Sequence, residues 1–172
     1  MISSRRLLTL PFVLLAACQA EDHADPGRNL GGNQGTEVPL TRFSASARGF
    51  VQYSGIRAPR QGVVRDSTGW RQLWDEIHAN ATPAPELPPV DFSRDMVIVA
   101  ALGGQPTGGY DVLLKSAVLD DTALTIAVAT RHPGAGCILT QAETSPVDLA
   151  TAPRHEGAVR FVESQEETSC GS

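Results

Sequence analysis

Residues 95–103 read Asp-Met-Val-Ile-Val-Ala-Ala-Leu-Gly, an unbroken apolar run between a carboxylate and a glycine. A half-buried strand alternates polar and apolar residues, whereas a run without alternation must bury both of its faces. This stretch therefore predicts a strand covered on both sides.

C-terminal to it, Gly103–Tyr110 reads GGQPTGGY, four glycines and a proline in eight residues. Tyr110 to Leu119 and Ala123 to Ala129 then read as two strands flanking a hairpin turn at Asp120-Asp121. Two more strands are expected in SPVDLATAP and GAVRFVES, separated by Arg154-His155-Glu156. N-terminal to the apolar run, ATPAPELPPV holds four prolines, which exclude both helix and ladder. Before it, Trp70, Leu73, Trp74 and Ile77 fall at the i, i+3, i+4, i+7 spacing of one buried helical stripe, with Ser67 or Thr68 as N-cap. Arg71, Asp75 and Glu76 fall off that stripe and should face water. FSASARGFVQYSG and QGVVRDS supply two earlier, weaker strand signals. The sum is a mainly β (α+β) fold: an antiparallel β-rich domain of about seven or eight strands with one packed amphipathic helix.

Residues 18–42 are polar and glycine-rich without apolar periodicity and read as a flexible tether, so that the folded domain spans 43–172. Before the tether stand Arg5, Arg6, the apolar run Leu7 to Ala17, and then Cys18. Residues 1–17 have the charged and apolar regions of a secretory leader, and the run is too short for a membrane span. Leu15-Ala16-Ala17-Cys18 resembles the lipobox of bacterial lipoproteins. That resemblance implies lipidation of Cys18, a membrane partner through the lipid, and a place in the bacterial cell envelope. Gln19, rather than Asp, after the cysteine favours the outer membrane. With Cys18 taken by lipid, Cys137 and Cys170 remain as an even pair in an oxidising compartment, and a disulfide between them is expected.

The charge of −5 and a single lysine, Lys115, argue against nucleic acid as a partner, since nothing clusters to neutralise phosphates. No GxSxG elbow is present, and His23, His78, His132 and His155 stand apart from one another, with no HExxH or HxH pair. Neither Cys137 nor Cys170 has a CxxC partner, so neither metal nor cofactor is expected, and no catalytic residue is assigned. The GGQPTGGY stretch also fails as a phosphate loop, because no Gly-Lys-Ser/Thr follows and a strand comes next. Pro106 and a glycine at 108 or 109 suit a turn. The surplus of glycine remains: either the loop bends sharply against another backbone, or a partner approaches its main chain.

Trp70 and Trp74, VDFSRDMVIVAALGGQPTGGYDV, HPGAGCILTQAETSPVDLA and VRFVE, in that order, resemble the PrcB C-terminal domain family. The resemblance runs from about Phe50 to Glu163, with Pro106-Thr107-Gly108-Gly109-Tyr110 as its sharpest element. It implies a secreted or lipid-anchored, non-catalytic module, and in the namesake a part in assembling or stabilising a subtilisin-like protease. Gln105, Pro106, Thr107, Gly108, Gly109 and Tyr110 then form the candidate protein-binding loop, and an exported protease is the candidate partner. Gln105–Tyr110 is also similar to the first loop of chagasin-type cysteine-protease inhibitors. On that alternative, loops 103–110, 131–136 and 144–149 would insert together into a protease. It departs from that pattern at Gln105 and Gly108, and no aromatic follows Pro146. A structural envelope lipoprotein, in which all three loops are turns, is the third reading.

Overall fold

A computed structural model describes residues 35–43 and 50–170, all within one compact unit, Asn33–Ser172. The leader and Cys18 lie outside the described residues, as does most of FSASARGF.

The apolar run forms strand β5, Asp95–Ala101, and every residue from Met96 to Ala101 is buried. Its two faces serve different layers. Met96, Ile98 and Ala100 pack into one cluster and Val97, Val99 and Ala101 into another, as the two-residue period of a strand requires. β5 sits inside a sheet ordered β2 (Thr41–Arg42), β8 (Val147–Pro153), β5, β4 (Arg60–Val64), with β3 (Phe50–Val51) also on β8. A second sheet runs β1 (Thr36–Val38), β6 (Asp111–Leu119), β7 (Leu124–Pro133), β9 (Val159–Thr168). Between the sheets lie Met96, Ile98, Ala100, Ala150 and Ala152 from one side and Val112, Leu114, Ala117, Leu124, Ile126 and Val128 from the other.

The outer face of the β5 sheet is covered by α1, Ser67–Ile77, through Trp70, Leu73, Trp74 and Ile77. Burying each of these large side chains contributes roughly 1.5–3 kcal/mol. The helix is capped one residue earlier than expected: Asp66 accepts from Gly69 N–H at 2.8 Å, because Asp66 keeps extended dihedrals while Ser67 already turns helical. Both indole N–H groups reach the proline-rich segment, Trp70 to Pro88 O at 2.9 Å and Trp74 to Pro85 O at 3.0 Å. The tryptophans thus satisfy their one donor while staying in the core.

Three further expectations need correction. Residues 36–42 are part of the domain rather than of a tether: β1 pairs with β6, β2 with β8, and Val38 and Leu40 pack against the inter-sheet core. Segments this short carry no readable period, and only their partners order them. The antiparallel expectation fails at the pairing of β9. The chain crosses at 154–158 from one sheet to the other, which lets β9 run parallel to β7, while the other named strands pair antiparallel. Finally, Thr144, Ser145, Val147, Asp148 and Leu149 are buried, and Val147 onward is strand β8, so 144–149 is no exposed loop.

Buried Asp148 joins the sheets. β6 carries a bulge between Leu114 and Ser116, and the Leu114 N–H donates to Asp148 Oδ2 at 2.6 Å. Arg42 closes the arrangement, donating to the Asp148 carboxylate and to Leu114 O. Burial pushes the Asp148 carboxyl above the usual range, opposed by the Leu114 N–H and the Arg42 charge.

Candidate functional site

At one end of the sandwich, Gly103–Tyr110 lies between two other segments of the chain and is bonded to both. Gly104 N–H donates to Arg57 O at 3.0 Å. Gln105 exchanges two backbone bonds with Thr144, at 2.7 and 3.0 Å, forming an isolated antiparallel bridge. Gly108 N–H reaches Thr140 O at 2.9 Å, and the Thr144 hydroxyl reaches Thr107 O at 2.9 Å.

Two of the four glycines have positive φ. At Gly103, φ is +75°, and a Cβ there would stand 2.8 Å from Pro59 N and 2.9 Å from Arg57 O, both backbone atoms. At Gly109, φ is +86°, with the Leu139 side chain 2.8 Å from where a Cβ would be. The chain's own backbone makes the close approach that the glycine surplus called for. A partner is not required to explain it.

The neighbouring segment, 131–136, is only half loop: Arg131, His132 and Pro133 finish β7. The His132 ring meets Tyr110 edge-on, with centroids 5.4 Å apart. Arg131 bonds Glu166 at 3.0 Å and lies 3.7 Å from Asp111, holding the Glu166 carboxyl below its usual range. Beyond it, Cys137 and Cys170 form a disulfide, Cα atoms 5.1 Å apart, and Gly134 N–H donates to Thr168 O at 3.0 Å. The loop is therefore tied to the end of β9 at its base. One residue past the bridge, Ile138 is wholly exposed, at 102%.

The structure thus brings together Gln105 to Tyr110 with the 134–142 segment and leaves 144–149 beneath them as support. Pro106 and Gly109 are exposed, Gly108 is buried, and Gln105, Thr107 and Tyr110 are half-buried. Sequence reasoning missed Ile138, whose only signal is an apolar pair, Ile138-Leu139, beside a cysteine in a glycine-rich loop. It also missed Arg42 and Asp148, whose pairing joins positions 106 residues apart.

The titrating groups with shifted affinities have local structural causes. Asp120 is held down to about 2 by the Thr122 hydroxyl, with the Thr122 and Ala123 N–H groups adding to it in the β6–β7 turn. Asp91 is lowered by Ser93, and His78 is lowered by burial beside Trp74. Among the described residues, no group of His, Cys, Asp and Glu is placed to hold a metal ion.

Residues 96–153 match the family model described as PrcB C-terminal. No curated protein and no solved structure matches the chain. The matched stretch runs from β5 through β8 and contains the whole glycine-rich loop, while α1 and β9, inside the wider resemblance, lie outside it. Over that stretch, 96–153, the chain is similar to the PrcB C-terminal family, as the resemblance of its residues led one to expect.

Proposed function

We propose that the protein is a non-catalytic, lipid-anchored envelope lipoprotein whose β domain binds another protein through its loop end, an exported protease being the partner. The observation that carries this reading is Ile138. A wholly exposed aliphatic side chain on a segment braced by a disulfide and by three backbone hydrogen bonds is a preorganised apolar contact. Pro106 and Gly109 stand exposed in the adjoining loop. The anchor at Cys18 rests on the lipobox resemblance, and the protease on the family resemblance. The non-catalytic role rests on the family resemblance. The inhibitor alternative is not carried forward, since the third of its loops is buried.

A photo-crosslinking side chain placed at Ile138, and in parallel at exposed Asp75 on α1, tests the reading in intact envelopes. An adduct with an exported protease at 138 and none at 75 is expected. No adduct at 138, or equal adducts at both positions, would sink it.

A further inference from the structure

The two sides of the sandwich are finished differently. On one side, residues 36–42 run from the edge of the β6 sheet to the edge of the β8 sheet, pairing with a strand in each. This strap puts Val38 and Leu40 against the inter-sheet core and sends Arg42 to the buried Asp148 carboxylate. The opposite side is bounded by β9 and β4, the last strands of their sheets, and among the described residues nothing pairs with their far edges. Between them opens a cleft of about 420 Å³. Its walls include Ala100, Leu102 and Val112, and at its rim the Glu163 carboxylate accepts from Gln61 Nε2 at 2.9 Å and lies 3.4 Å from the Thr130 hydroxyl.

This side therefore repeats the requirements that the strap meets on the other: free strand edges, an apolar inter-sheet wall and a carboxylate. We propose that the cleft between β4 and β9 is a strand-addition site for an extended segment of a partner protein, bearing alternate apolar residues and one basic side chain directed at Glu163. Charge complementarity selects the basic residue: Glu163 lines the cleft and Glu167 lies on the same face of β9, neither in an ion pair among the described residues, whereas Glu166 on the other face is taken by Arg131 and Lys115, and Arg60 of the cleft wall is taken by Glu76. The same carboxylates disfavour pairing of β9 with β9 of a second copy. An edge of ten residues supplies main-chain hydrogen bonds, and the cleft and carboxylate supply the preference. The cleft adjoins the loop end at Leu102 and His132, but Ile138 does not line it and Glu163 is not part of the loop, so the two readings are tested at different residues.

The test uses the full chain and a capped octapeptide that alternates Val and Thr around a central Arg, with its Arg→Glu counterpart as control. Binding is read by fluorescence anisotropy, amide exchange along β9, and light scattering. The Arg peptide should slow exchange in 159–168, bind at least tenfold more tightly than the Glu peptide, and weaken about tenfold with Glu163→Gln but not with Glu156→Gln. Equal binding of the two peptides, protection absent from β9, or indifference to Glu163→Gln overturns the proposal. So does dimerisation abolished by Val162→Pro, which would make a second copy the occupant. Binding that emerges only after residues 1–34 are removed overturns it likewise, in favour of the chain's own N-terminal segment.

Discussion

Replacing Gly103 by Ala tests whether the glycines of GGQPTGGY serve the fold. The added Cβ meets two separate penalties. A positive φ of +75° costs an L-residue about 1–2 kcal/mol. The contacts at 2.8 Å to Pro59 N and 2.9 Å to Arg57 O involve backbone, which cannot rotate away, and overpacking of that kind adds about 1–3 kcal/mol. The sum is about 2–5 kcal/mol. Two companion substitutions separate the terms. Gly136 has φ of +83° with nothing within 4 Å of a Cβ, so Gly136→Ala should show the dihedral cost alone, about 1–2 kcal/mol. Gly108 has no positive φ and would meet Thr140 Cβ at an ordinary 3.4 Å, so Gly108→Ala should change stability by less than about 1 kcal/mol. Urea unfolding of the oxidised protein, with unchanged m-values, gives the three differences. The order Gly103, Gly136, Gly108 is expected. A Gly103→Ala protein as stable as Gly136→Ala would refute the close approach of 103 to 57–59.

The paired cysteines close 33 residues of sequence, and Cys137→Ser with Cys170→Ser should lower stability by about 3–4 kcal/mol in the same assay; an unchanged midpoint would mean that the bridge does not constrain the unfolded chain. The raised Asp148 carboxyl binds its proton more tightly when folded, so acid favours the native state between its raised affinity and the usual 3.8. Wild type should therefore gain stability relative to Asp148→Asn as pH falls through that window, and parallel pH profiles would contradict the buried geometry. Asp120 has the opposite sign: lowered from 3.8 to about 2, it contributes stability present above 3.8 and lost as pH falls toward 2. Asp120→Asn should erase that limb of the acid unfolding curve, and its persistence would count against the hydrogen-bonded turn.

Much of the architecture is legible because it is written in local periods. β5 announces burial on both faces by lacking alternation, and α1 announces its stripe by the spacing of Trp70, Leu73, Trp74 and Ile77. The Asp120 turn lies between two recognisable strands. The loop end was legible only in part. That GGQPTGGY is a constrained turn follows from its glycines, but which backbone constrains it does not, since Arg57, Thr140 and Thr144 are distant in sequence. Ile138 carries no period, and its exposure depends on where the disulfide and β9 hold the loop.

By itself, then, the sequence determined a β-rich domain with one packed helix, the pairing of Cys137 with Cys170, and a glycine-rich turn after the central strand. Only the tertiary structure decided that residues 36–42 strap one side of the sandwich, that β9 runs parallel to β7, and that 144–149 lies inside. The physical reason is the range of the interactions. A helical stripe or a doubly buried strand is specified by neighbours a few residues apart, whereas a two-residue strand such as Thr41–Arg42 exists because Arg42 finds a carboxylate 106 residues away.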